Sequence, residues 1–328
     1  MRFLPDKFTT MLVATMLLAS LLPVQGEFAD WFALATKIAV GLLFFLHGAR
    51  LSREAVIAGL THWKLHVAVL SATFVLFPLL GLLAGWLVPG LSHSAFYTGI
   101  LYLCLLPSTV QSSIAFTSIA GGNVSAAIVS ASASNIFGMF LTPLLVGLLF
   151  AIKGGGGVSV DALQSILLQL LAPFLLGQIL QPWIGRFLRR HSKSLGIVDR
   201  GSILMVVYLA FSESVVSGLW RTVSWNDLGM MIGMSLMLLV VVLGATWYGS
   251  KWLGFNHADC ITILFCGSKK SLASGAPMAS AIFAGANVGS IVLPLMLFHQ
   301  IQLMACAIIA RKLAHHKPIT ERVPAAAE

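Results

Sequence analysis

Long apolar runs separated by short polar segments make up nearly the whole chain. They fall at about residues 8–24, 31–50, 63–88, 94–120, 122–151, 160–187, 199–220, 227–254, 258–283 and 287–312. A bilayer core asks for roughly 20 apolar residues of helix, so each run is long enough to cross one. The pattern predicts an all-α polytopic membrane protein of about ten transmembrane helices. Two runs, 94–120 and 258–283, are interrupted by Gly, Pro and Ser and predict broken helices. The first run follows Arg2 and Lys7 as a secretory signal would, but no small-x-small cleavage site follows it. It therefore reads as a first helix.

Numbering the loops alternately sorts the charges. One side collects almost all loop Lys and Arg, from Arg2 and Lys7 through Arg186–Lys193 to Arg311–Arg322, and the other holds Lys153 and Arg221. The positive-inside rule then puts both termini in the cytoplasm, which fits an even number of spans. One short echo joins the halves: Ala120-Gly121-Gly122-Asn123-Val124 returns as Ala284-Gly285-Ala286-Asn287-Val288. Each copy follows an interrupted run, so the fourth and ninth spans occupy matching places. A repeat of five spans inserts the second half upside down, which predicts two inverted five-helix repeats whose broken helices cross at mid-membrane.

In the first broken run Pro107 removes a backbone donor and disfavours helix at Leu106, while Ser108 or Thr109 can cap the restarting segment. A half-helix N-terminus suits an anionic group, and the carbonyls left by the preceding half suit a cation. Gln111, Ser112 and Ser113 add side-chain ligands, and Ser130 and Ser134 share a face of the next span. Ser130 and Ser134 complete a polar pocket, or form a seam of small residues that lets helices pack.

In the second broken run Gly267 permits the break, and Ser268, Lys269, Lys270 and Ser271 follow it. Two lysines at that depth cost about 5–7 kcal/mol on insertion scales before any relief. Three routes relieve them: an anionic substrate, pairing with Glu213 or Asp259, or the carbonyl ends of the first half-helix. Glu213 is the carboxylate placed deep in a span, a candidate proton carrier or counter-ion. His47 and His299 read as hydrogen-bonding residues of their helices.

Composition narrows the function classes. Hydrophobic residues make up 58% and charged residues 9%, with a mean hydropathy of +0.93, which exceeds what a soluble core hides. The excess of 20 Lys+Arg over 11 Asp+Glu sits in loops between apolar runs, so it marks membrane topology rather than nucleic-acid binding. Cys104, Cys260, Cys266 and Cys306 lack metal-ligand spacing and read as buried free thiols. No nucleophile-base grouping, paired carboxylates or phosphate loop points to an enzyme.

The broken runs, the Gly-Asn-Val after the fourth, and Cys266-Gly267-Ser268-Lys269-Lys270-Ser271-Leu272-Ala273 with Gly275, Pro277 and Met278 resemble the bile acid:sodium symporter superfamily. Within it they are similar to the YfeH-like branch, related to vertebrate solute carrier family ten member seven. The resemblance runs from Leu43-Phe44-Phe45-Leu46-His47-Gly48-Ala49 to Phe298-His299-Gln300-Ile301-Gln302-Leu303-Met304. It implies a panel domain from residues 1–62 and 156–225 and a core domain from 63–155 and 226–313. Residues 314–328 are then a cytosolic tail. Substrate would bind between panel and core, in a plasma membrane of the bacterial inner-membrane kind. Of the sodium ligands the resemblance implies, a serine falls on Ser113, marking a candidate sodium position, whereas Ile114, Phe265, Ser268, Lys269, Ala127 and Ala131 stand at the others. Lys269 is thus expected to supply the charge that sodium supplies elsewhere.

Two readings follow. One is a secondary active transporter of a small organic anion with no cofactor, using sodium or a proton as coupling ion. The other is a non-transporting membrane regulator or scaffold that keeps the fold.

Overall fold

A computed structural model describes residues 7–50, 62–88, 91, 94, 96–152, 160–218, 221, 223–283 and 288–315. Among these residues the regular elements are all helical. In chain order they are α1 (Lys7–Leu21), α2 (Glu27–Arg50), α3 (Trp63–Leu87), α4 (Tyr97–Leu105), α5 (Gln111–Ala120), α6 (Val124–Ile152), α7 (Val160–Arg190), α8 (Ser192–Val216), α9 (Trp225–Trp252), α10 (His257–Gly267), α11 (Leu272–Ile282) and α12 (Val288–His315). Six of them, α2, α3, α6, α8, α9 and α12, are long and apolar enough to cross a membrane, which makes this a polytopic membrane protein.

Local chemistry sets the helix ends. Ser224 and Asp227 form a reciprocal capping box at the start of α9, and the side chain of Asn256 caps α10 by accepting from the Asp259 amide at 2.8 Å. Gly121, at φ 77°, closes α5 in the left-handed region that favours glycine. Asn123 then starts α6: its backbone amide donates to Ala258 and its side chain accepts from the Ala126 amide. The sequence echo begins here, but its second copy at 284–287 lies outside the described residues, as does the tail from 316. Inside α3, residues Ala72–Leu76 form one π-turn, which displaces the backbone hydrogen-bond register.

α2 packs against α7 and α8, and α1 against α8. The α2–α7 contact depends on reciprocal glycines: a Cβ on Gly48 would strike the carbonyl of Phe174, and one on Gly177 the carbonyl of Phe45. Arg50, at the end of α2, pairs with Asp199 of α8 at 2.6 Å. α12 runs alongside α4, α5, α9 and α11, and α8 reaches α11 and α12, where Ser214 accepts from the Gly289 amide. Glu213 lies not at depth but in the last turn of α8, exposed, and none of the described lysines pairs with it.

Gly48→Leu forces side-chain bulk onto the α7 backbone and is expected to cost about 1–3 kcal/mol, lowering the thermal midpoint in detergent by several degrees. Gly41→Leu on the same helix meets open space and is expected to leave the midpoint unchanged. Equal behaviour of the two variants in a detergent melting experiment would refute this account of the packing.

Candidate functional site

The two interrupted helices meet at their breaks. Leu106 leaves the helical region after α4, and the chain stays irregular until Gln111 opens α5. α10 stops at Gly267, and Ser271 caps α11 by accepting from the Ser274 amide at 3.2 Å. Each break satisfies the other. The Ser271 amide donates to the Pro107 carbonyl at 2.9 Å, the Ser108 hydroxyl donates to the Cys266 carbonyl, and the Ser113 hydroxyl donates to the Phe265 carbonyl at 3.1 Å. Backbone groups that helix cannot pair are thus paired across the crossing, as burial in an apolar medium requires.

α6 closes the crossing from one side. Ser134 accepts from the Ser108 amide at 3.0 Å, and Asn135 donates to the Ser108 carbonyl at 2.8 Å while accepting from Ser274 at 2.7 Å. The Thr109 hydroxyl bonds those of both Ser112, at 2.8 Å, and Ser113, at 2.9 Å. Ser130 leaves this network and meets Nδ1 of His66, on α3, at 2.6 Å. Gln111 is exposed and stands outside the network, and Ser268 bonds back to the Leu264 carbonyl of its own helix.

Both lysines are fully buried, with different surroundings. The Lys270 ammonium donates to three carbonyls, of Thr73 at 2.8 Å, Cys104 at 2.9 Å and Leu106 at 2.7 Å. Cys104 and Leu106 belong to the C-terminal end of α4, where unpaired carbonyls concentrate negative charge. Thr73 lies in the π-turn of α3. The face of Phe77 lies 4.1 Å from the same nitrogen. Gln302 of α12 holds the Lys270 backbone from both sides, accepting from its amide at 2.9 Å and donating to its carbonyl at 2.8 Å. Lys269 has no hydrogen-bond partner for its amine among the described residues; the ring of Phe116 lies 4.0 Å away and that of Phe265 5.4 Å.

Where α2 faces the crossing, a narrow crevice runs between Phe44 and His47 on one side and Asn135, Ala273 and Ser274 on the other. Nδ1 of His47 is engaged with the Leu43 carbonyl at 2.8 Å. Ala273 and Ser274 are in the first turn of α11, so the N-terminal end of a half-helix borders this crevice.

Sequence reasoning missed His66, Thr73 and Ser274. His66 and Ser274 were visible as polar residues within apolar runs. Thr73 acts through its carbonyl, for which no side-chain signal exists.

Crossed, interrupted helices with paired breaks are a plan for moving solutes, and the chain's relatives agree with it. An uncharacterized protein of Pseudomonas aeruginosa is 55% identical over 319 residues, covering 96% of this chain and 95% of its own length. The Escherichia coli (strain K12) protein named "Putative symporter YfeH" is 52% identical over 323 residues, covering 98% of this chain and 96% of its own length. Sodium/bile acid cotransporter 7 of Xenopus tropicalis is 28% identical over 289 residues, covering 84% and 80%. The profile that describes the SBF-like CPA transporter family matches residues 6–315, so this chain belongs to that family of transporters and is not an enzyme.

Proposed function

We propose that the protein is a secondary active transporter of a small organic anion in which a tethered lysine replaces a bound sodium ion. The observation that carries this reading is the Lys270 ammonium on the carbonyls of Thr73, Cys104 and Leu106. Neutral carbonyl oxygens at a helix C-terminus are what a hard monovalent cation seeks, and here a covalently attached cation takes them. The sequence assigned that part to Lys269; the hydrogen bonds favour Lys270. At the remaining candidate sodium position the oxygens form a chain, Ser112 to Thr109, Thr109 to Ser113 and Ser113 to the Phe265 carbonyl, so each is already engaged.

In this reading α1, α2, α7 and α8 form the panel and the other helices the core, in ten spans of two inverted five-helix repeats. Both termini face the cytoplasm across a bacterial inner membrane, in keeping with the loop charges. The anion binds where the crevice between His47 and the N-terminal turn of α11 opens: at about 10 Å³ it has room for no more than a water, so core and panel must part there before Asn135, Ser274 and the half-helix dipole can receive negative charge. Lys269, which has aromatic faces but no hydrogen bond, is the group free to gain and lose a proton during the cycle. Coupling then runs through protons rather than sodium.

Sodium, compared with potassium and choline at constant ionic strength, is expected to leave the melting midpoint of the wild type unchanged. Lys270→Ala strips three buried carbonyls of their donor at a cost of about 3–5 kcal/mol, a fall on the order of 10 °C, and sodium is expected to restore part of it. A sodium-specific rise in the wild type would return the protein to the sodium symporters.

In proteoliposomes, an anion identified by stabilisation from a panel of carboxylates, sulfonates and phosphate esters is expected to be taken up with a rate that follows an imposed pH gradient. Lys269→Gln is expected to abolish that dependence. Uptake by Lys269→Gln that still tracks the gradient would remove Lys269 from the coupling, and the absence of any stabilising anion would favour a scaffold that has kept the fold.

A further inference from the structure

A cavity much larger than the crevice lies away from the crossing. It is a groove of about 670 Å³ on the outer side of α3 and α9, open along its length. Its walls are apolar and its floor is made of small residues, with Ala72 on α3 and Ala245, Thr246 and Gly249 on α9. On α3 the lining runs from Trp63 to Leu79, about 24 Å at the helical rise, more than the roughly 15 Å depth of one leaflet's hydrocarbon. Lys64 stands at the mouth, where its amine lies 5.9 Å from the centroid of the Trp63 ring. Lys251, at the end of α9, lies over Trp247 at 4.4 Å. The acid nearest to this mouth in sequence, Asp259, is buried and tied to Asn123 and Asn256. The groove therefore carries positive charge at one end, beside an apolar slot long enough for an acyl chain, the arrangement an anionic lipid asks for.

We infer that this groove binds one anionic phospholipid of the leaflet on which Lys64 lies, with its headgroup on Lys64 and an acyl chain along Ala72, Thr246 and Gly249. The site sits on the wall of the crossing. A Cβ on Gly267, at the break of the second interrupted helix, would lie 3.1 Å from the Cβ of Ala72 and 3.2 Å from Cγ2 of Thr246. Thr73, the neighbour of Ala72, gives its carbonyl to Lys270. A chain filling the groove therefore bears on the turn that holds the tethered cation, and the bound lipid stiffens the socket. This inference stands apart from the identity of the transported anion.

The test is native mass spectrometry of the purified full chain with phosphatidylglycerol and with phosphatidylcholine of the same acyl composition. The wild type is expected to retain one phosphatidylglycerol with about tenfold preference. Lys64→Gln is expected to bring that preference close to one. At Gly249 a Cβ meets open space, so Gly249→Leu fills the slot without striking the backbone and is expected to abolish retention of either lipid; Ala245→Leu serves as an independent second block. Equal retention of the two lipids by the wild type would overturn the headgroup assignment. Undiminished retention by folded Gly249→Leu and Ala245→Leu would overturn the groove, as would a dimer mass that disappears in those variants, which would give it to a second copy of the chain.

Discussion

Two helices broken in the buried interior leave carbonyls and amides away from water, and the rest of the crossing is arranged to settle them. Each buried unpaired group would cost about 1–3 kcal/mol. The amides find the opposite break, through the Ser271 amide on Pro107 and the Ser108 amide on Ser134. The carbonyls at the end of α4 find the Lys270 ammonium. Hydrogen bonds to a charged group contribute roughly 1.5–3 kcal/mol each, so three of them are of the size needed to offset placing a lysine where insertion alone costs about 2.5–3.5 kcal/mol. The lysine and the broken helix thus each remove the other's penalty.

That reciprocity explains why the two adjacent lysines differ. Neighbouring positions diverge in direction, so only one can point into the carbonyl socket while Gln302 fixes the backbone of Lys270 from both sides. Lys269 is turned instead toward Phe116 of α5 and Phe265 of α10, where aromatic faces attract a cation but offer no acceptor. A socket filled by an ammonium and an amine without a hydrogen bond among the described residues are two different arrangements. The first fixes the crossing; the second leaves a buried amine beside aromatic faces.

Much of this was legible in the residues. The helix boundaries follow from apolar runs, and the two breaks from Pro107 and Gly267, because a missing donor and a missing side chain act locally. The cost of the lysine pair pointed to the second break, where both are buried. Which lysine takes the socket was not legible, since two of the three acceptors are backbone carbonyls of the other broken helix and the third, at Thr73, exists because of a π-turn in α3. Glu213 misled for a related reason: hydropathy carries the apolar run past it, whereas α8 ends at Val216 and leaves the carboxylate exposed. Ser130 shares a face with Ser134 as the spacing demands, yet a histidine on α3, invisible to any reading of α6 alone, draws it out of the crossing.

The same π-turn ties the outside of the protein to its centre. Widening one turn of α3 frees a carbonyl inward for Lys270, and the residue before it, Ala72, forms the floor of the lipid-facing groove. A side chain larger than alanine at position 72 would press on Gly267, where even an added Cβ would lie 3.1 Å from that of Ala72. The small residues that let the second break approach α3 are therefore the ones that leave a slot open to the bilayer. A groove there is a geometric consequence of packing a broken helix tightly, and a slot lined with apolar walls beneath a lysine is filled at least cost by an anionic lipid.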